Sequence, residues 1–215
     1  MPLKIVSTGP SRSFPSGPAE LQAAMSARSG LVVIGAAAGR ASAQLTDVDN
    51  HPFIAIELGI ECLAEHTGLE ASSRAERMVG FARFRMGDAA PTQLIELVRQ
   101  PWTRTEALAA AKSVFESAGF VVAICADFPG RIVDRLIRPY LNAVLRRLDE
   151  QLASAEDLDA TLCMGLGYPE GPLALLHRTG LAHHFDVTEA LHRALGGNDY
   201  LPARRAQVAK SRSVS

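Results

Sequence analysis

Histidine is the side chain that most readily exchanges a proton near neutral pH, and the six here are unhelpfully placed. None lies between His66 and His177. His183-His184 and His192 fall on one helical stretch, where adjacent residues do not share a face, and His177 reads as a helix-surface residue. No Asp/Glu/His cluster has metal-ligand spacing, and no Ser-His-Asp set is recognisable by local motif. Cys62, Cys125 and Cys163 are far apart, odd in number and in apolar surroundings. They read as small buried hydrophobes rather than as a disulfide framework or a zinc site. A phosphate cradle of the form G-x-G-x-x-G is also missing. The first strand candidate runs into Gly9-Pro10-Ser11-Arg12-Ser13-Phe14, and Gly35-Ala36-Ala37-Ala38-Gly39-Arg40 lacks the glycine two positions after its first. The second segment reads as a strand-to-loop exit more readily than as a cradle.

The elements that would position any site alternate. Leu3–Val6, Leu31–Ile34, Phe53–Ile56, Met78–Phe84, Leu94–Arg99 and Phe120–Ile124 are strand candidates. Two of them, Leu31–Ile34 and Phe53–Ile56, are continuous apolar runs of the kind buried on both sheet faces. Helices are predicted over Ala19–Arg28, up to His66 with a stop at Gly68, and over Thr103–Ala118, capped by Thr103 or Thr105. This alternation predicts a mostly parallel sheet with helices on its faces.

After Pro129 the strand signals stop. Ile132, Leu136, Tyr140, Leu141, Val144 and Leu148 lie on one wide apolar stripe of a long helix. Ser154-Ala155-Glu156-Asp157 resembles a capping box opening the next helix. Gly167–Pro172 forces a turn, with Pro172 at the first position of a third helix, and a fourth covers about Ala182–Leu195. The predicted division is an α/β domain over 1–126, a helical domain over 127–203 and a basic flexible tail over 204–215. The stripe and the small size of the helical part imply docking or dimerisation.

With 22 basic and 23 acidic residues the net charge is −1, so nothing favours nucleic acid or an anionic membrane as partner. The longest apolar stretch is too short to span a bilayer. No secretory leader is recognisable, and the expected location is the cytoplasm.

Two segments carry a family resemblance. Asp127-Phe128-Pro129-Gly130-Arg131-Ile132-Val133-Asp134-Arg135-Leu136 resembles the D-x-P-G-F-I-V-N-R-L segment of the L-3-hydroxyacyl-CoA dehydrogenases. Asp157-Leu158-Asp159-Ala160, followed by Gly165-Leu166-Gly167-Tyr168-Pro169-Glu170-Gly171-Pro172, is similar to that family's D-I-D-x-A…L-G-x-G-Y-P-x-G-P block. Upstream, Leu94–Arg99 resembles its L-V-E-V-I strand, and Met78-Val79-Gly80-Phe81 the start of its G-x-H-F-F-N-P strand. The resemblance implies a degenerate Rossmann-like sheet domain followed by an all-α domain of the 6-phosphogluconate dehydrogenase type. It implies NAD as cofactor and the oxidation of a 3-hydroxyacyl-CoA to the 3-oxoacyl-CoA in fatty-acid metabolism and β-oxidation.

In that family a His takes the hydroxyl proton and a Glu orients it. Glu96 stands at the Glu position, but Ala82 stands at or beside the His position, and alanine accepts no proton. Without that base Glu96 reads as a carboxylate paired with Arg83 or Arg85. Asp134 occupies the family's Asn position near the substrate, where it can only accept. An ion pair with Arg131 or Arg138 is its alternative fate. Three readings follow: an NAD-dependent dehydrogenase, a non-catalytic relative, or an oxidoreductase with other catalytic residues. The non-catalytic relative would dimerise, bind acyl-CoA, or partner a full-length dehydrogenase.

Overall fold

The structure is a computed structural model that describes residues 2–22 and 29–213. Two compact units emerge: Met1–Arg85 with Ala90–Arg131, and Met86–Ala89 with Ile132–Ser215.

The first unit holds one six-stranded sheet. Its strands are β1 (Leu3–Ser7), β2 (Gly30–Ile34), β3 (Ile54–Glu57), β4 (Met78–Arg83), β5 (Leu94–Arg99) and β6 (Val121–Ala126), and their order in space is their order in the chain. All neighbours are parallel except β4 and β5, which are antiparallel. β2 and β3 are buried throughout. Val32, Ile34, Ala55, Phe81 and Leu97 share one core with Ala107, Ala111, Val114 and Phe115 of the long helix α4 (Thr105–Ser117), while Leu31, Val33, Ile54, Ile56 and Val98 form the core on the other face. Apolar side chains thus leave both faces of these strands, which is why the runs lack alternation. Short helices α1 (Ala19–Gln22), α2 (Ala38–Ala43) and α3 (Ala64–Thr67) complete the unit. Positions 23–28 of the predicted first helix lie outside the described residues. Neither threonine caps α4: Arg104 occupies the cap position, and Thr103 instead accepts from the Gln100 amide at 2.9 Å.

The second unit is all helical: α5 (Ile132–Asp149), α6 (Ala155–Leu166), α7 (Pro172–Thr179), α8 (Leu181–Leu195) and α9 (Arg204–Ser213). Ser154 Oγ accepts from the Asp157 amide at 3.0 Å, as the capping box requires, and Gly167 closes α6 in the left-handed conformation. Two boundaries differ from the sequence reading. The sheet unit extends to Arg131 because Asp127 accepts from the amides of Leu63 and Ala64, at 2.7 and 2.8 Å, and so caps α3. Arg131 reinforces this by donating to the carbonyls of Gly59 and Glu61. The expected flexible tail is helix α9. Its Arg204 and Arg205 pair with Asp149, Lys210 pairs with Asp186, and Ala206 is fully buried. The three cysteines are partly rather than fully buried and free of disulfides. Burial pushes the Cys125 thiol up to about 11, which keeps it protonated and unreactive at neutral pH. Among the described residues no helix is long and apolar enough to cross a membrane.

Candidate functional site

The antiparallel register of β4 and β5 sets Ala82 directly opposite Glu96. Residues paired this way point to the same face with their Cβ atoms about 5 Å apart. A base at position 82 would therefore lie against the Glu96 carboxylate, which is almost completely buried. A methyl group occupies that place. Arg83, offered above as a partner for Glu96, points to the opposite face by strand alternation. Its guanidinium donates to Glu20 at 3.2 Å and lies over the Phe120 ring, 4.9 Å from its centre.

At the carboxyl ends of β1, β2 and β3, where doubly wound sheets hold ligands, lies a cleft of about 460 Å³. Arg12, Gly35, Arg40, Glu57, Glu61 and His66 are among its walls. The chain leaving β1 does not turn straight into a helix. It crosses the ends of the neighbouring strands, with Thr8 N–H donating to the Ile34 carbonyl and Ala36 N–H to the Pro10 carbonyl. Ser11 Oγ then donates to Glu57 at 2.8 Å, and the amides of Ser13 and Gly35 donate to the same carboxylate at 2.7 and 2.6 Å. Gly35 is confined to glycine: its φ is +106°, and a Cβ there would lie 2.6 Å from the Gly9 carbonyl oxygen. Glu57 ends an apolar run in the sequence, the one signal that could have singled it out.

In the helical unit, Asp134 accepts from Arg138 Nε at 2.8 Å, the second of the two partners considered for it. Arg138 is buried and is one of the largest fully enclosed side chains. Its Nη1 lies 3.2 Å from His184 Nδ1, and His184 Nε2 lies 3.0 Å from Asn142 Oδ1. Asn142 gives its amide hydrogens to the carbonyls of Asp199 and Leu201. Its oxygen must therefore accept, which places the His184 proton on Nε2 and leaves Nδ1 to accept from Arg138. Burial first, and the Arg138 charge second, push His184 down to about 3, so the ring is neutral. No local pattern cues this chain of contacts, because adjacent histidines on a polar-looking helix resemble solvent-facing residues. His183 does face outward, 2.9 Å from Asp88.

The Gly-Tyr-Pro turn proves architectural. Asp159 accepts from the amides of Leu173 and Ala174, both at 2.8 Å, and so caps α7 from across the turn. Gly171 lies so close that a Cβ would come within 2.2 Å of the Asp159 carboxyl carbon. Asp159→Ala is expected to cost the helical unit about 1–2 kcal/mol, as loss of a cap does, read as a lowered denaturant midpoint. An unchanged midpoint would show that the cap is dispensable. Among the described residues no cluster of three or more His, Cys, Asp or Glu side chains could hold a metal ion.

A mostly parallel sheet followed by this helical unit defines a dehydrogenase-type α/β architecture with an all-α companion. Residues 130–212 match the family described as 3-hydroxyacyl-CoA dehydrogenase, C-terminal domain. It is 32% identical over 133 residues to a probable 3-hydroxybutyryl-CoA dehydrogenase of Deinococcus radiodurans, covering 62% of this chain and 47% of that protein. To the 3-hydroxybutyryl-CoA dehydrogenase of Bradyrhizobium diazoefficiens it is 33% identical over 132 residues, covering 61% and 44%. The chain thus spans somewhat under half the length of these curated relatives. The (S)-3-hydroxybutyryl-CoA dehydrogenase of Ralstonia eutropha shares the fold, with a TM-score of 0.74 at 20% identity over 99% of this chain and 95% of that one. The Escherichia coli 3-hydroxybutyryl-CoA dehydrogenase gives 0.69 at 25% identity, over 83% and 38%.

Proposed function

We propose that this chain is a non-catalytic member of the 3-hydroxyacyl-CoA dehydrogenase family, which serves acyl-CoA metabolism through its helical unit. The observation that carries the reading is the Ala82–Glu96 pairing. The carboxylate that would orient a base is kept, and the position opposite it holds no group able to take a proton. Loss of a general base alone lowers a rate by roughly a hundred- to ten-thousand-fold. The expected result is no NADH-dependent reduction of acetoacetyl-CoA above the uncatalysed rate. Turnover that disappears in Glu96→Gln would overturn the proposal and restore the dehydrogenase reading.

The helical unit's working partner is proposed to be a second copy of this chain. Helix α6 buries none of its residues although it carries Leu158, Leu162, Met164 and Leu166, and Met164 is 88% exposed. On α5, Ile132 and Leu136 stand one turn apart in the open, and Tyr168 lies edge-on against Tyr140 a further turn along. Exposed apolar surface of this kind marks an interaction site. A two-fold contact needs only one self-complementary patch. Light scattering is expected to give twice the 23.0 kDa chain mass. Leu136→Glu with Met164→Glu should return it to a single chain's mass. A monomeric wild-type protein would refute the dimer and leave a partner dehydrogenase as the occupant to test.

A further inference from the structure

The family's cofactor, a dinucleotide, would be held in this fold by backbone amides at the strand ends gripping its pyrophosphate. Here the residues present do not fit it. We infer that the strand-end cleft of the sheet unit is an anion site sealed from within, its occupant being the chain's own Glu57 carboxylate.

Four observations converge. The amides of Gly35 and Ser13 point at one carboxylate, at 2.6 and 2.7 Å, with the Ser11 hydroxyl as third donor. Glu57 is only 7% exposed, so its charge stands inside the fold rather than at a rim from which it could swing away. The loop after β1 is fastened across the strand ends to Ile34, Ala36 and Glu57. It is also tied to β4, where the Arg83 amide donates to Ser13 Oγ at 3.2 Å. Finally, Phe14 anchors the far side of that loop in the core, packed edge-on against Phe120 with ring centres 6.0 Å apart.

An incoming pyrophosphate would find these donors engaged and a negative charge in their midst. It would have to break three hydrogen bonds to a charged acceptor, which are stronger than those between neutral groups. Displacing the carboxylate would leave it buried without partners. The two arginines of the cleft, Arg12 and Arg40, are matched by Glu57 and Glu61, so no net positive charge compensates. Glu57 is here a positioning residue: it joins the exits of β1, β2 and β3 in the place where a bound ligand would otherwise do so.

The test reads binding, not turnover, and is independent of the reading built on Ala82. Inorganic pyrophosphate, ADP and NAD are titrated into the full chain while the Gly35 and Ser13 amide resonances are followed. Neither amide of the wild-type protein is expected to move at millimolar ligand. In Glu57→Ala the amides are freed beside Arg12 and Arg40, and pyrophosphate should bind at least about tenfold more tightly, shifting both. Glu57→Gln keeps the side-chain volume while removing the charge, and the same gain is expected from it should the alanine variant fail to fold. Saturable wild-type binding that moves these amides would overturn the inference. So would a folded variant no better at binding pyrophosphate than wild type. NAD binding without turnover would sink this inference and leave the Ala82 reading standing.

Discussion

Arg138→Met is expected to destabilise the helical unit by about 3 kcal/mol, the scale seen when one member of a buried ion pair is removed. Two losses combine. Asp134 is left largely enclosed without its 2.8 Å partner, and His184 Nδ1 loses its donor. Methionine fills much of the volume, so a cavity adds little. The two units are read separately. Trp102, the only tryptophan, lies in the sheet unit, while all three tyrosines lie in the helical one. Urea unfolding followed by tyrosine signals should shift to lower midpoint, while Trp102 fluorescence changes little. Asp134→Asn combined with Arg138→Met should recover part of the loss, since the stranded charge is gone. A loss below about 1 kcal/mol would show that the pair is not needed for packing.

The stability of the helical unit is expected to fall as pH falls from about 6.5 toward 3, because of His184. Its folded pKa lies near 3 against an ordinary 6.5. In that window the unfolded chain binds a proton that the folded ring refuses. The contribution is complete above about pH 6.5 and is lost progressively below it, with a limiting slope of about 1.4 kcal/mol per pH unit. Comparison with a variant lacking only this ring isolates its share of the slope. Arg138, itself held by Asp134, is the charged group whose Nη1 meets the ring, and it opposes protonation throughout. Urea midpoints at pH 7 and 5 should diverge for wild type and converge for His184→Gln at the same two pH values. Equal pH dependence in the two proteins would refute the assignment.

The strands and the helix order were legible because each rests on a local pattern. Continuous apolar runs at Leu31–Ile34 and Phe53–Ile56 mark doubly covered strands, and the capping residue Ser154 and Pro172 fix helix starts. The pairing of position 82 with Glu96 could be anticipated only through the family resemblance, since nothing local to either strand fixes their register. What escaped were contacts between residues distant in the chain. Ser11, Ser13 and Gly35 meet Glu57 across 46, 44 and 22 positions. Arg138 reaches His184 across 46. A charge near the chain's end looks solvated until Asp149 is found beside it, which is why 204–215 reads as a loose tail in the sequence. The turn at Gly171 belongs to the family resemblance, whereas its physical reason, contact with Asp159, is steric and long-range.

The order of the sheet has a consequence for how the chain reaches its native state. Each strand pairs with the next one made, from β1 to β6. No strand must wait for a later one to be threaded between it and its neighbour. Loop closure at each step spans only the segment between successive strands, so its entropic cost stays small. The sheet can therefore lengthen by one strand at a time as the polypeptide emerges, β4 and β5 joining through the shortest connection as a hairpin. Until β6 is synthesised the growing edge is β5, whose Glu96 places a charge in the middle of an apolar run from Leu94 to Val98. A carboxylate there discourages pairing with the same strand of another nascent chain, a protective role that depends on no chemistry at all.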